Sequence, residues 1–134
     1  MTPRNPLINP PQHGSWIILS KRQRIIAFYK DGKQLRTITN FSIGGVHQGV
    51  MHATPSGKFK VLNKDEHHVS HSYKTKSGAW APMPLYVQFF RAGGFHVGDP
   101  KAASHGCVHL TREDAQFIFN TAEVGKTHVW VTPH

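Results

Sequence analysis

The 134-residue sequence has one cysteine, few acidic residues and no long apolar segment. A single cysteine excludes an intramolecular disulfide framework and a zinc module built from cysteine pairs. The apolar runs are far shorter than the roughly 20 residues that a membrane span needs, which predicts no membrane span. No basic segment followed by an apolar core marks a secretory leader. We therefore expect a cytoplasmic protein as the chain stands; the alternative is the periplasm or cell envelope, with a leader removed.

Basic residues outnumber acidic residues by 16 to 7, and the formal net charge is +9 with histidine neutral. This excess favours acidic partners, such as nucleic acid, anionic lipid, cell-wall polymer or a carboxylate-rich substrate. The basic residues are scattered, however, and form neither a helical stripe nor an aromatic-rich nucleic-acid motif. We therefore predict a general attraction to acidic molecules and no specific nucleic-acid binding.

The length fits one domain preceded by a short arm. Residues 1–14 hold four of the nine prolines and no apolar periodicity, which predicts an extended arm ahead of a domain at 15–134. Runs rich in β-branched and aromatic residues predict the strands, at residues 15–20, 24–29, 35–41, 58–62, 84–90 and 128–132. Asp31-Gly32 predicts a tight hairpin turn, whereas residues 46–57 and 63–82 lack a core pattern and are predicted to be loops.

One segment has the pattern of a helix. Thr111 followed by Asp114 resembles a capping box, and the apolar residues that follow have helical spacing, at positions 115, 118, 119 and 122. Gly125 is the predicted end. The pattern as a whole predicts a mostly β domain, a sandwich or partly open barrel, with one main helix after the cysteine.

The only cysteine, Cys107, lies in a histidine-rich segment just before this helix. A thiol becomes a good nucleophile when a nearby imidazole takes its proton. Gly106 allows a sharp turn, so successive backbone N–H groups can converge beside the sulfur as an oxyanion hole. A lone cysteine is more often a small buried apolar residue. The Ser104-His105-Gly106-Cys107 sequence nevertheless favours the catalytic interpretation.

These residues resemble the signature of the L,D-transpeptidase catalytic domain family (YkuD type), which is an upstream His, then Ser-His-Gly-Cys, then an apolar residue, Arg and an apolar residue. The upstream histidine is His96 here. The similarity extends over about residues 15–132 and includes three further segments: Gln23-Arg24-Ile25, Thr54-Pro55-Ser56-Gly57 and Met83-Pro84. The chain departs from the family pattern at His109, where Arg is usual, and at Val97, where Gly or Ser often follows the histidine.

The resemblance implies a cysteine acyl-transferase that acts on peptidoglycan stem peptides or muropeptides, without a metal or organic cofactor. Cys107 would attack the bond between a diamino acid, typically meso-diaminopimelate, and D-Ala, with His96 as general base. Backbone N–H groups of His105, Gly106 and Cys107 would hold the oxyanion, and Ser104 would shape their loop. Carbapenem-type inhibitors would acylate the cysteine.

Three points stay open at this level. The thioacyl-enzyme is resolved by an amine in transpeptidation or by water in L,D-carboxypeptidation; a cytoplasmic chain favours a recycling carboxypeptidase, and a periplasmic one a cross-linking transpeptidase. The partner that orients His96 is Asp99 or a backbone carbonyl, and His105 is a second candidate for the base. Candidate substrate contacts are His109, Tyr86, Met83, Trp80 and residues 63–79.

Two classes of alternative remain. If residues 105–109 are extended, His105, Cys107 and His109 share one face and His96 can add a fourth metal ligand. A separate cluster could form from His67, His68 and His71. The other alternative is a non-catalytic module that binds cell wall or nucleic acid through its positive charge.

Overall fold

The computed structural model describes residues 11–133, which form twelve strands and one helix. The strands and the helix follow one another in this order: β1 (Ser15–Ser20), β2 (Ile25–Lys30), β3 (Lys33–Ile38), β4 (Phe41–Ser42), β5 (Val46–His47), β6 (Val50–Met51), β7 (Gly57–Lys60), β8 (Asn63–Lys74), β9 (Trp80–Phe90), β10 (Gly93–Val97), β11 (Val108–Leu110), α1 (Arg112–Thr121) and β12 (His128–Thr132). The prediction of a mostly β chain with one main helix after the cysteine is confirmed.

Two five-stranded sheets make up most of the domain. The first has the order β3-β2-β1-β12-β7 and the second the order β4-β11-β10-β9-β8, while β5 and β6 form a separate hairpin. Two strand pairs are parallel: β1 with β12, and β10 with β11. The strands between residues 11 and 133 close no barrel, which agrees with the predicted sandwich or partly open barrel.

The hydrophobic core is one cluster to which both sheets and the helix contribute. The first sheet supplies residues such as Ile17 and Val129, the second supplies Val87 and Phe95, and all four are fully buried. Burial of such side chains contributes about 1.5–3 kcal/mol each to folding. The core therefore fixes β10 and β11, the two strands on either side of the predicted catalytic segment.

The helix begins where the capping pattern predicts. The Thr111 hydroxyl accepts a hydrogen bond from the Asp114 N–H at 3.3 Å, and the acidic first turn suits the positive end of the helix dipole. Ala115 and Ile118 face the core, as their spacing predicts. The helix ends at Thr121, four residues before the predicted glycine, because the Ala122 N–H makes the last helical bond to the Ile118 carbonyl.

Most strand predictions are confirmed within a few residues, and β1 and β12 match exactly. The predicted turn between β2 and β3 is also confirmed: Asp31 and Gly32 both have positive φ angles, of 49° and 82°. The segment predicted as one strand over 35–41 is instead divided between β3 and β4.

The prediction of a loop over residues 63–82 is wrong. This segment forms β8, the turn and the start of β9, a long antiparallel hairpin. β8 is the edge strand of its sheet and is mostly exposed on both faces, so its sequence lacks the apolar alternation of a half-buried strand. The predicted loop over 46–57 likewise contains the small β5–β6 hairpin, which turns through Gln48 and Gly49.

The proline-rich arm predicted over residues 1–14 lies mostly outside the described residues. At its end, the Gly14 N–H donates to the Asp31 carboxylate, and the Asp31 N–H donates to the Gly14 carbonyl, both at 2.9 Å. Residue 14 is thus attached to the β2–β3 turn. Among residues 11–133, no helix has the length and apolarity needed to cross a membrane.

Candidate active site

The parallel pairing of β10 with β11 brings the predicted catalytic residues to one cavity. Phe95 pairs with Val108, and both side chains are fully buried in the core. Because side chains alternate along a strand, the next pair, His96 and His109, faces the opposite side. Both histidines line a cavity of about 490 Å³, and Cys107, one residue before β11, lines it as well.

His96 is held as a neutral imidazole. Only 6% of the residue is exposed, and its Nδ1 lies 2.7 Å from the Val97 carbonyl oxygen, so Nδ1–H donates there and the Nε2 lone pair stays available. Burial lowers the pKa of His96 to about 4; the bond to the Val97 carbonyl acts in the opposite direction, and the neighbouring His109 and His68 lower the pKa as well. At neutral pH this ring can accept a proton.

Cys107 is a partly buried free thiol. Burial raises the pKa of this thiol, and a hydrogen bond from the Gly94 backbone acts in the opposite direction. The resting pair is therefore a neutral thiol and a neutral imidazole. A methyl group at Gly93 would lie 2.7 Å from the Cys107 Sγ and 2.6 Å from the Phe90 ring. The sulfur therefore fits at this place only because residue 93 has no side chain.

Residues 104–107, here called the nucleophile loop after the predicted role of Cys107, are shaped by two hydroxyl groups. The Ser104 hydroxyl donates to the Cys107 carbonyl and accepts from the Gly106 N–H at 3.0 Å. From outside the loop, the buried Thr54 hydroxyl donates to the Gly106 carbonyl at 2.8 Å and accepts from the Gly44 N–H at 2.9 Å. Gly106 itself has a φ of +126°, a conformation that disfavours any side chain.

His105, the second candidate for the base, lies within a group of aromatic rings. Its ring stacks on His47 at 3.7 Å and on Tyr73 at 4.0 Å between centroids, and His52 meets it edge-on at 5.1 Å. His47 also lies 2.8 Å from the Ser104 carbonyl oxygen. The nucleophile loop is thus packed against the β5–β6 hairpin and the end of β8.

His109, which stands where the family pattern has Arg, holds the segment that leads to the nucleophile loop. Its Nδ1 lies 3.1 Å from the Asp99 carbonyl and 3.2 Å from the Ala102 carbonyl, and the Ser42 hydroxyl donates to the same two oxygens. Its ring meets His96 edge-on at 5.0 Å. His109 therefore supports the segment with one nitrogen and lies beside His96.

Two other predicted substrate contacts, Tyr86 and Met83, also line the cavity. Tyr86 is buried and stacks on His68 at 4.1 Å; burial and the nearby Cys107 raise the pKa of its hydroxyl. Asp99 does not orient His96: its carboxylate accepts from the Lys101 N–H, and the Val97 carbonyl takes the orienting position. Trp80, another predicted substrate contact, is exposed and does not line the cavity, although its neighbours Ala81 and Pro82 do.

Several residues of the site have no signal in the sequence. Thr54, His47 and His52 lie in the predicted loop over residues 46–57, and Gly93 begins β10, which is not among the predicted strands. Their contacts with the nucleophile loop join segments some 10 to 60 positions apart, as in the Thr54–Gly106 bond, which spans 52 positions. The family resemblance at Thr54-Pro55-Ser56-Gly57 identifies this segment, but not the hydrogen bond from Thr54 to the loop.

The arrangement disagrees with the metal alternative. Over residues 11–133, no three side chains of His, Cys, Asp or Glu are grouped so that they could hold a metal ion. Residues 105–107 are not a strand, and His105 is stacked between His47 and Tyr73. His68 and His71 are 6.2 Å apart between ring centroids, and the His68 Nδ1 lies 3.1 Å from an Asp65 carboxylate oxygen.

Comparison with solved structures shows the same fold in L,D-transpeptidases. One from Stackebrandtia nassauensis matches with a TM-score of 0.72 and 22% identity, over 92% of this chain and 58% of that chain. L,D-transpeptidase 3 from Mycobacterium tuberculosis, in complex with a faropenem-derived adduct, matches with 0.71 and 22%, over 89% and 60%. A cysteine-to-serine mutant of the Enterococcus faecium L,D-transpeptidase matches with 0.71 and 22%, over 89% and 50%.

The chain thus spans between half and three fifths of the length of these three proteins. A search of curated proteins found no match. The family model of the YkuD L,D-transpeptidase catalytic domain matches residues 14–131, which is nearly the whole described chain. The protein therefore belongs to the L,D-transpeptidase catalytic domain family.

Proposed function

We propose that the chain is a cysteine acyl-transferase that cleaves the bond between a diamino acid, typically meso-diaminopimelate, and D-Ala in peptidoglycan stem tetrapeptides. The observation that carries this proposal is the shared cavity of Cys107 and His96, in which the His96 Nδ1 is bound to a carbonyl and its Nε2 is left to take a proton. Membership of the L,D-transpeptidase family supports the same chemistry.

In the first step the Cys107 sulfur attacks the carbonyl on the L-centre of the diamino acid. The raised pKa of the thiol and the lowered pKa of His96 mean that the pair starts uncharged, so the proton moves to the imidazole as the C–S bond forms. The imidazolium then gives this proton to the amine of the departing D-Ala. A thioester remains on Cys107.

The negative charge on the attacked oxygen needs backbone donors. The Gly106 N–H is already bound to the Ser104 hydroxyl, which argues for the N–H groups of His105 and Cys107 as the oxyanion donors. Ser104 and Gly106 would then act by fixing the turn. The Tyr86 hydroxyl, whose pKa is raised in part by Cys107, belongs to the same cavity and adds a candidate substrate contact together with Met83 and His109.

The thioester is resolved by water, which gives a tripeptide, or by an amine, which gives exchange or a cross-link. With neutral His96 again available, the same ring can deprotonate either acceptor. The proposal therefore covers L,D-carboxypeptidase and L,D-transpeptidase activity, with muropeptides or stem peptides as donors. Acylation of Cys107 by a carbapenem-type β-lactam belongs to the same chemistry, and a faropenem-derived adduct is present in one of the similar structures.

Mass spectrometry of a disaccharide-tetrapeptide incubated with the protein tests the proposal. We expect loss of one Ala without an added amine, and exchange or dimers when a free D-amino acid or a second stem peptide is the acceptor. Cys107→Ala should be inactive while keeping the wild-type circular dichroism spectrum. No change with the wild type, or equal activity in Cys107→Ala, would refute the mechanism.

A further inference from the structure

The cavity around Cys107 carries basic side chains and no acidic one. Its lining includes Arg91 and the five imidazoles of His68, His71, His96, His105 and His109. None of the chain's seven Asp and Glu residues, all of which lie within the described range, is part of it. A substrate group with a negative charge is therefore favoured in this cavity, and an unpaired positive group is not.

Four of the seven acidic residues make contacts away from the cavity. Asp114 and Glu113 bind Arg36, Asp31 accepts from the Gly14 N–H, and Asp99 accepts from the Lys101 N–H. Asp65 lies beside the lining, with its carboxylate 3.1 Å from the Nδ1 of His68, and so pairs with that imidazole.

Arg91 is the permanent cation of the lining. It lies in the turn between β9 and β10, and the Gln88 side-chain amide braces this turn by donating to the Phe90 and Arg91 carbonyls at 3.2 and 3.1 Å. None of the ion pairs found between residues 11 and 133 involves its guanidinium. The guanidinium is therefore not neutralised by a carboxylate of the described chain.

The position of Arg91 relative to the sulfur limits the part of the substrate that its guanidinium can reach. Gly93, two residues further along, is the residue whose added methyl would lie 2.7 Å from Sγ. Two residues span at most about 7 Å, and an arginine side chain has a similar reach. The side-chain carboxylate at the far end of the acylated diamino acid lies within this range. The carboxylate of the departing D-Ala does too, but it is the same in peptides that differ only in the diamino acid.

We propose that Arg91 recognises the free side-chain carboxylate of the diamino acid at which the enzyme is acylated. This specificity rests on the proposed function and adds to it a substrate class: stem peptides with unmodified diaminopimelate are preferred over those with its side-chain amide or with lysine. Both poorer substrates keep the side-chain ammonium but lack the carboxylate, so they bring an uncompensated positive charge to a basic cavity. A charge-assisted, bidentate contact with a carboxylate is the interaction for which arginine is best suited.

Three synthetic tetrapeptides test the proposal, with diaminopimelate, its side-chain amide or lysine as the third residue. For the wild type we expect kcat/KM for the free carboxylate to exceed that for the other two about tenfold, which is typical of one lost charge-assisted contact. Arg91→Gln should reduce the ratio to about twofold or less, and Arg91→Lys should restore part of it. Arg112→Gln changes an exposed arginine outside the cavity and should keep the full ratio. Equal use of the three peptides by the wild type, or a tenfold ratio that survives in Arg91→Gln, would overturn the proposal.

The same peptides are also measured by calorimetric binding to Cys107→Ala, in which turnover plays no part. Tighter binding of the free carboxylate, lost when Arg91→Gln is added, supports the specificity even if the proposed reaction fails. Absence of turnover of all three peptides by the wild type refutes the proposed function instead. Equal binding of the three peptides refutes the specificity alone.

Discussion

Replacement of His96 by Gln should make the protein less sensitive to acid. In the unfolded chain His96 takes up a proton below its ordinary pKa of 6.5, whereas burial delays this to about pH 4 in the folded protein. Between these values the unfolded state binds more protons, so acid favours unfolding. The stabilisation is present above pH 6.5 and is lost as the pH falls to about 4.

At about 1.4 kcal/mol for each pH unit, this difference corresponds to about 3 kcal/mol of unfolding free energy between pH 7 and pH 4. In a domain of this size it lowers Tm by about 10 °C. Burial also lowers the pKa values of His105 and His128, so their protonation destabilises the folded protein in acid in the same direction. The comparison must therefore be between the wild type and His96→Gln, in which the contributions of these two histidines cancel.

Thermal unfolding followed by circular dichroism at pH 7 and pH 4 gives the change in Tm between the two pH values for each protein. The fall in Tm between the two pH values should be about 10 °C smaller in His96→Gln than in the wild type. His67→Gln, at an exposed histidine of β8 that is outside the cavity lining, serves as a control and should retain the larger fall. An equal fall in the wild type and His96→Gln would mean that His96 titrates normally, and the inference of a neutral resting base would be abandoned.

Four further outcomes follow from the site. The acid limb of kcat/KM should lie near pH 4, where the base His96 becomes protonated; a midpoint near 6.5 in the pH–rate profile would contradict its burial. Thr54→Val should lower the unfolding free energy by about 1–3 kcal/mol in urea titrations, because the buried Gly106 carbonyl and the partly buried Gly44 N–H lose their hydrogen bonds. Thr75→Val, at an exposed turn, should stay near the wild type. Gly93→Ala should strongly reduce D-Ala release while far-UV dichroism remains native, since its methyl would contact the sulfur; full activity would disprove that contact. A carbapenem should add its mass to the wild type and not to Cys107→Ala in intact-protein mass spectra.

Local signals account for the parts of the fold that were predicted well. The helix cap at Thr111 and the turn at Asp31-Gly32 depend on a few neighbouring residues, and β1 and β12 are apolar central strands. The β8–β9 hairpin could not be predicted in this way. Its outer strand is polar on both faces because it borders solvent, and its pairing depends on β9 as a template.

In the candidate site too, the local part could be predicted from the sequence and the contacts between distant segments could not. His96 and Cys107 lie close to each other in the sequence motif, and the parallel pairing of β10 and β11 brings them to one cavity. The support for the nucleophile loop comes from distant segments: the Thr54 hydroxyl, and the stack of His47 and Tyr73 on His105. Such contacts depend on the packed structure, so they leave no periodic or local pattern in the sequence.

The parallel pairing of β1 with β12 has a consequence for how the domain folds. These two strands are neighbours in the middle of the first sheet, although the Ser15 and Thr127 hydroxyls that meet beside them, 2.7 Å apart, are separated by 112 positions. During synthesis, β1 must wait for nearly the whole domain to leave the ribosome before its second neighbour is available. High contact order of this kind slows folding, and until then the apolar edge of β1 is open to pairing with other chains.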